Sequence, residues 1–193
     1  MGGSMSSVVI SGDTSGAITL AAPSVAGTNT ATLPAATGTV MVSGNQPAFR
    51  AYSSGNFTIS TGAYAILPLN TKSFDTNTCY NNTGSTVTLN GVSAPQYSFA
   101  PNIAGYYQVN LAVSTSATGT QINPVIYKNG SAVIYGTVSN GITGYAGGGV
   151  ASDLVYMNGT SDYIQAYCYI SVSGSLFGAS NGCVFSAELV RTS

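Results

Sequence analysis

Without histidine, the chain has few side chains suited to catalysis, and the carboxylates come first among them. Histidine is the commonest general base and the usual activator of a serine nucleophile. Hydrolysis of a glycosidic bond needs two carboxyl groups a few ångströms apart. Asp153 and Asp162 flank the dipeptide Asn158-Gly159 and could be cross-strand neighbours, but such a pair usually caps a turn or holds a cation weakly. We predict no catalytic residue, no metal site and no cofactor, so the protein is expected not to be an enzyme.

The thiols and the glycine-rich run carry no clear chemistry either. Three cysteines, Cys79, Cys168 and Cys183, cannot all pair within the chain. Cys168 shares a strand face with apolar residues and is interpreted as a small buried residue, whereas a bridge from Cys168 to Cys183 remains open. The run 147–149 is Gly-Gly-Gly without the Lys-Ser/Thr of a phosphate-binding loop, so we interpret it as a flexible loop.

The composition excludes some partners. Only 5% of the residues are charged, far below the usual quarter, and just four are Lys or Arg. Phosphate binding needs several basic groups on one face, so nucleic acid is not expected as a partner. No apolar run approaches the length of a membrane helix, and we expect no membrane insertion. Residues 1–5 show no signal-peptide pattern and are interpreted as an expression scar before a second start at Met5.

The elements that must position any site are strands. In residues 106–113, polar and apolar residues alternate, which indicates a strand; its apolar face comprises Tyr107, Val109, Leu111 and Val113. Further strands are predicted over residues 48–53, 63–69, 122–128, 132–138, 150–157, 163–172 and 183–191. The dipeptides Asn129-Gly130 and Asn158-Gly159 mark tight turns. Many short strands at roughly ten-residue spacing predict an all-β sandwich or jelly roll.

Strand 163–172 is apolar on both sides, with Tyr163, Tyr167 and Tyr169 along one of them. A sheet that faces water would carry polar residues on that side. We therefore predict that one face packs on the opposite sheet and that the tyrosine face is covered by a neighbouring subunit. The alternative is that these tyrosines simply lie at the surface.

Four stretches resemble the jelly roll shared by complement C1q and tumour necrosis factor (TNF). They are YSFAPNIAGYYQVNLAV at 97–113, PAFRAY at 47–52, SDLVYMNGTSDYIQAYCY at 152–169 and FSAELV at 185–190, in the family's order. The resemblance covers residues 47–193 and implies an all-β jelly-roll head that forms a compact homotrimer, with strand 163–172 in the sheet at the threefold contact. It also implies that Gly105, before the paired tyrosines, needs backbone freedom or close packing.

Residues 6–46 differ from the rest, because they contain no aromatic residue and a single charge, Asp13. A segment so poor in bulk cannot bury a core alone. The run ITLAAPSVAGTNTATLPAATGTVMV, residues 18–42, resembles the stalk that precedes the C-terminal head of bacteriophage tail fibres. We predict a β-rich trimeric fibre stalk formed by intertwining three copies, against the alternative of a flexible linker.

These features predict a viral fibre protein, located in the virion, whose head binds a glycan or protein on the host-cell surface. Strand parity places loops 114–121, 139–149 and 173–182 at one end of the head, and the tight turns at the other. Long loops on a rigid scaffold commonly carry binding sites, so the predicted receptor-binding residues are Ile142, Tyr145, Leu176 and Phe177. Alternatively, Leu176 and Phe177 plug the top of the threefold axis. The alternative functions are a polysaccharide-degrading fibre tip and a secreted cellular module similar to C1q.

Overall fold

The computed structural model describes residues 7–25, 27–32, 35, 37, 40, 42, 46–140 and 146–193, and every regular element in this part is a strand. None of these residues belongs to a helix that could cross a membrane. The strands are β1 (Ser7–Ser11), β2 (Ala17–Ala21), β3 (Ala48–Tyr52), β4 (Tyr64–Ile66), β5 (Thr71–Thr76), β6 (Val87–Leu89), β7 (Val92–Ala94), β8 (Ser98–Phe99), β9 (Gly105–Thr118), β10 (Gln121–Lys128), β11 (Ser131–Tyr135), β12 (Ser139–Asn140), β13 (Ala146–Met157), β14 (Ile164–Ile170) and β15 (Val184–Thr192).

The chain divides into two compact units, residues 1–39 and residues 40–193. In the first unit, β1 and β2 form an antiparallel hairpin in which Ser7 pairs with Ala21 and Ser11 with Ala17. All the described side chains of this unit are exposed, including Ile10, Ile18 and Leu20 on the hairpin strands. The predicted expression scar lies outside the described residues, and the predicted stalk assembly stays a prediction.

The second unit is a sandwich of two antiparallel sheets. One sheet has the order β13-β9-β15-β3-β5, and the other has β11-β10-β14-β4, with β12 added to β10 and β8 to β14. Side chains from both sheets form one core, in which the Phe49 ring stacks on Tyr80 and Phe99 and meets the edge of Phe185. The prediction of an all-β jelly-roll sandwich is therefore confirmed.

Strand β9 spans the five-stranded sheet between β13 and β15 and pairs with both along most of its length. Its residues alternate between buried and more exposed along the whole strand. The predicted inward face, Tyr107, Val109, Leu111 and Val113, is buried in the core. The period-two pattern is confirmed because each inward residue faces the opposite sheet while its neighbour faces away.

The glycine run 147–149 belongs to a strand, so its interpretation as a flexible loop was wrong. Gly147 pairs with Thr115 and Gly149 with Val113 across β13 and β9. A Cβ atom on Gly149 would lie 2.8 Å from Cδ of Pro124 and 3.1 Å from the carbonyl oxygen of Thr137. Glycine is present because backbone and side chains of the other sheet approach β13 closely, which is a recognised use of glycine within strands.

Two other boundaries differ from the sequence prediction. The predicted strand 63–69 shortens to β4, Tyr64–Ile66, although Leu67 and Leu69 are fully buried. The predicted loop 114–121 is mostly strand, since β9 continues to Thr118 and β10 begins at Gln121. The predicted tight turn at Asn129-Gly130 is present, and both residues have the positive φ of a type I′ hairpin.

Gly105 has no room for a side chain, although its φ is not positive. A Cβ atom there would lie 2.4 Å from the Arg191 carbonyl oxygen and 2.7 Å from a Leu189 methyl group. We expect Gly105→Ala to lower the free energy of unfolding by about 1–3 kcal/mol, the usual cost of overpacking. Denaturant titration of the purified protein measures this loss.

The matched control is Gly55→Ala, because a Cβ atom on Gly55 would meet nothing within 4 Å. The control should change the free energy of unfolding by less than about 0.5 kcal/mol. Equal effects of the two variants would contradict the close-packing explanation for Gly105.

Candidate functional site

Three connections meet at one end of the sandwich, as strand parity predicted. The amide of Phe177 donates a 2.9 Å hydrogen bond to the Ser114 carbonyl, and the Ser116 amide donates one of 2.9 Å to Ser175. Strand β12 pairs with the first residues of β10, which brings the connection after β11 to the same end. The described parts of these connections, which exclude residues 141–145, therefore lie at the same end, while their role in binding stays a prediction.

The predicted receptor-binding residues have different positions. Leu176 is 0% exposed in the core and forms bridges with Phe57 and Thr115. Its side chain cannot contact a receptor, so burial removes it from the predicted contact set. Phe177 is partly exposed and stays a candidate. Ile142 and Tyr145 lie outside the described residues.

At the opposite end of the sandwich, the carboxylate of Asp162 bonds to residues of two turns. Its Oδ2 atom lies 2.7 Å from Nζ of Lys128 and accepts a 3.0 Å hydrogen bond from the Asn158 amide, and its Oδ1 atom accepts one of 2.7 Å from Asn129 Nδ2. Burial alone would raise the pKa of Asp162, but these bonds and the Lys128 charge hold it below the usual value. The carboxylate thereby joins the turn after β10 to the turn after β13.

Asp153 and Asp162 are not cross-strand neighbours, because Asp162 lies between β13 and β14 and outside any strand. Asp153 lies on edge strand β13 opposite Val109, is exposed, and accepts a hydrogen bond from the Leu154 amide. Since Asp162 is saturated by its own partners, the two carboxylates do not form an acid–base pair in this structure. Across the described part of the chain, no three His, Cys, Asp or Glu residues cluster as metal ligands would.

The three cysteines are free and buried in the structure. Burial raises the pKa of the Cys168 thiol to about 12, with a further contribution from the nearby Cys183. Burial likewise raises the pKa of Cys79 and Cys183 to about 11 each. Because the thiolate is the reactive form, all three thiols behave at neutral pH as small apolar groups, as the sequence indicated for Cys168.

Six tyrosines lie along the outer face of the β11-β10-β14-β4 sheet, the face turned away from the core. We call this group the tyrosine platform; its members are Tyr64, Tyr127, Tyr135, Tyr163, Tyr167 and Tyr169. Tyr127 stacks on Tyr167 with ring centroids 4.0 Å apart, and Tyr64 contacts Tyr135 at 6.2 Å and Tyr169 at 5.7 Å. Tyr163 packs against the cluster of Val92, Ala94 and Ala100 beneath hairpin β6–β7. The pKa values of Tyr64 and Tyr167 are raised; burial is the largest cause, and neighbouring phenol groups add to it.

The residues predicted to contact another subunit have partners within their own chain; they are Tyr163, Tyr167 and Tyr169. Each is half-buried, and none of the three has the exposed fraction of Tyr135, which is 64%. The pattern of strand 163–172 predicted that these rings would be covered, and neighbouring strands of the same chain cover much of them. Their role in a subunit interface stays a prediction.

Asn123 lies within the platform, directly opposite Tyr169 on β14. Its Nδ2 atom donates a 3.1 Å hydrogen bond to the Tyr64 hydroxyl. Its Oδ1 atom is buried and accepts no hydrogen bond from the residues that the structure describes. A buried acceptor without a donor is costly, so this position favours a further donor group.

The five-stranded sheet exposes the more aliphatic outer surface. We call the outward residues of the paired segments 106–112 of β9 and 150–156 of β13 the β9–β13 face: Tyr106, Gln108, Asn110, Ala112, Val150, Ser152, Leu154 and Tyr156. Val150 and Leu154 are 56% and 51% exposed, and the rings of Tyr106 and Tyr156 lie 5.5 Å apart. Open hollows of ≈ 440 Å³ and ≈ 310 Å³ flank Val150. The face carries no charged residue.

The sequence analysis missed the β9–β13 face, although a signal for it exists. Strand β13 is apolar on both sides, with Val155 and Met157 inward and Leu154 and Tyr156 outward. The same two-sided argument that selected β14 would have selected β13. Tyrosines from neighbouring strands cover part of the outer side of β14. Strand β13, in contrast, is an edge strand that pairs with β9 alone in its sheet.

The fold defines the class: the head is a jelly roll of the type found in TNF and C1q domains. No protein-family model matches the chain, and no curated protein matches it either. Murine APRIL, crystallised at pH 5.0, superposes with a TM-score of 0.55 at 8% identity, covering 75% of this chain and 99% of that one.

Two further solved structures agree. The globular domain of zebrafish complement 1qA gives a TM-score of 0.54 at 12% identity, over 76% of this chain and 99% of that one. Eiger TNF from S. frugiperda gives a TM-score of 0.51 at 11% identity, and the match covers 77% of this chain and 93% of that one. At such identities the likeness shows the shared fold alone.

The ion pair and hydrogen bonds of Asp162 should make the free energy of unfolding depend on pH. Asp162→Asn removes the ion pair with Lys128, and we expect a loss of about 1–3 kcal/mol in the free energy of unfolding at pH 7. Because the pKa of Asp162 is lower in the folded than in the unfolded state, the wild-type stabilisation is present above the ordinary carboxyl pKa. It disappears as the pH falls through the lowered value. Urea titrations at neutral and acid pH measure both effects.

The control is Asp153→Asn, which changes an exposed carboxylate and should leave the free energy of unfolding within about 0.5 kcal/mol of the wild type. The prediction fails if Asp162→Asn and the wild type differ by the same amount at pH 7 and at a pH well below 4.

Proposed function

We propose that this chain is a homotrimeric fibre protein of a bacteriophage, whose jelly-roll head binds a glycan or protein on the surface of the host cell. The proposal places residues 6–46 in an intertwined stalk and residues 47–193 in the head. Its location is the virion. The observation that carries the proposal is the β9–β13 face, which has no charged residue and exposes Val150 and Leu154 by more than half.

The β9–β13 face suits contact between copies of the same chain. Large apolar patches exposed on a soluble protein commonly mark an interaction site, and the cores of homo-oligomer interfaces are depleted of charge. Within the face, Gln108 donates a 2.9 Å hydrogen bond to Ser152, which is also hydrogen-bonded to Asn110. The polar residues therefore satisfy one another, and Tyr106, Val150, Leu154 and Tyr156 are left to pack against a partner. The C1q and TNF resemblance supports a threefold arrangement.

The first unit supports the same assembly by a separate observation. Hairpin β1–β2 exposes Val8, Val9, Ile10, Ile18 and Leu20, each by more than half. An isolated two-stranded hairpin is at best marginally stable in water. Pairing or packing of three such hairpins would remove these residues from water, as the stalk resemblance implies.

A polysaccharide-degrading tip is the less favoured function. A retaining or inverting glycosidase needs one carboxyl group with a raised pKa to act as the acid. Asp162 is held ionised by Lys128, and Asp153 is exposed on an edge strand. These carboxylates fit structural roles, so we infer a binding protein and not a hydrolase.

The oligomeric state tests the assembly. Light scattering of the wild type at micromolar concentration should give three times the 19.4 kDa mass of one chain. Leu154→Asp should shift the protein to the monomer, because it would bury an unpaired charge in the interface. Val133→Asp is the matched control, since Val133 is 47% exposed on the other sheet.

The same measurement separates the two candidate interfaces. Tyr167→Asp should leave the mass unchanged if the β9–β13 face forms the contact. Dissociation by Tyr167→Asp together with a trimeric Leu154→Asp would instead support the tyrosine interface. A wild-type monomer would contradict both.

Host attachment tests the head. Phe177→Ala and Tyr145→Ala, each in a protein shown to keep its oligomeric mass, should weaken binding to susceptible bacteria by roughly tenfold, as expected when an aromatic anchor is lost. The measurement is binding of labelled protein to whole cells. Wild-type protein that binds no bacterial surface would contradict the function, and unchanged binding by both variants would place the contact elsewhere on the head.

A further inference from the structure

We propose that the tyrosine platform is a lateral binding site for a neutral carbohydrate, separate from the connections at the end of the head. The inference adds a ligand class and a location to the proposed host-surface function, and it rests on that function only for its biological meaning. The chemistry rests on the rings, the phenol groups and the Asn123 amide.

The platform exposes aromatic rings that suit a sugar ligand. Tyr135 is 64% exposed, more than any other large hydrophobic residue described within strands β3–β15, and its ring meets the edge of Tyr64. An aromatic ring carries negative charge density on its face, which attracts the weakly positive C–H groups of a pyranose. The phenol hydroxyls beside these rings can hydrogen-bond the hydroxyls of the same sugar. Mixed apolar and hydroxyl groups on both partners make the surfaces complementary.

The platform itself carries no charged residue. Strands β4, β11 and β14 contain no charged residue, and all three lie wholly within the described part of the chain. The single charge on β10 is Lys128 at its end, where Asp162 and the Tyr156 carbonyl hold it. An anionic or cationic polymer would therefore find no counter-charge here, so electrostatic complementarity favours a neutral glycan.

The side-chain amide of Asn123 is only partly hydrogen-bonded. Asn123 Oδ1 lacks a donor among the described residues, and the Tyr64 phenol covers the same side chain through its 3.1 Å hydrogen bond. A sugar hydroxyl is the kind of donor that this acceptor lacks, and a hydrogen bond to it would remove the cost of the unpaired Oδ1 atom.

A second copy of the chain fits this surface less well. The aliphatic residues Val150 and Leu154, which are 56% and 51% exposed, lie on the other sheet, where a protein partner would bury side chains that have no polar atom. The platform rings already stack on one another and present their hydroxyl ends. Occupation by another copy is accordingly one outcome of the test that overturns the proposal.

The test titrates the intact protein with maltoheptaose, cellohexaose, mannohexaose and a β-1,3-glucan hexamer, with heparin as a charged comparison. The chain has no tryptophan, so its intrinsic fluorescence comes from tyrosine, and the platform holds six of its 13 tyrosines. Saturation-transfer NMR with irradiation of aromatic protons identifies the sugar C–H groups that lie on the rings. We expect saturable binding of at least one neutral oligomer and none of heparin.

Variants locate the site. Tyr135→Ala should weaken that binding about three- to tenfold, the effect of one lost aromatic contact. Tyr135→Phe keeps the ring and should retain most of the affinity. Phe74→Ala is the control, because Phe74 is 48% exposed on β5 of the other sheet and should bind as the wild type does. Each variant is first shown to keep the wild-type mass and melting temperature.

The outcomes separate this inference from the proposed function. No binding of any neutral oligomer, equal affinity for heparin, or unchanged affinity in Tyr135→Ala overturns the platform site, even if the protein still attaches to cells. A change of oligomeric mass in Tyr135→Ala shows that another copy covers the platform and overturns it as well. Sugar binding that depends on Tyr135, without attachment to bacteria, supports the platform while the fibre function fails.

Discussion

The rest of the head depends on the burial of alternate side chains between its two sheets. With only nine charged residues in the chain and two ion pairs among the described residues, ionic contacts contribute little. The Phe49 ring, stacked on Tyr80 and Phe99, joins the five-stranded sheet to the β8 strand of the other. Burial of such rings contributes about 25 cal/mol per Å² of apolar surface removed from water. Strand directions, turn positions and the two outer faces all follow from which side chains turn inward.

The two outer faces then divide the remaining apolar residues by type. The five-stranded sheet presents Val150 and Leu154, which have no polar atom and favour exclusion of water by another protein surface. The other sheet presents tyrosines, whose hydroxyl ends stay compatible with water while the rings pack on each other. A chain with so few charges keeps its solubility through hydroxyl and amide groups, and the position of these groups determines which face can remain wet.

The sequence predicted those parts of the fold that follow from local patterns. The alternation in β9 and the Asn129-Gly130 turn need only a few consecutive residues, so both were found. The partners of Tyr167 and Tyr169 come from β10 and β4, and no local pattern shows that these strands are neighbours. Gly149 was assigned to a loop because the approach of Pro124 depends on tertiary contact. Leu176 was placed at the surface for a similar reason: its loop position gave no sign that Phe57 and Thr115 enclose it.

The position of β15 has a consequence for the order in which the head forms. This last strand lies between β9 and β3 and pairs with both, so Ala48, near the start of the head, faces Glu188, near its end. During synthesis the five-stranded sheet cannot close until β15 has left the ribosome. Until then, the edge of β3 that pairs with β15 stays unpaired. Contacts so distant in sequence also slow folding, because the loop must close before the contact stabilises the chain. The five-stranded sheet is therefore completed only after β15, the last of its strands in chain order, has been synthesised.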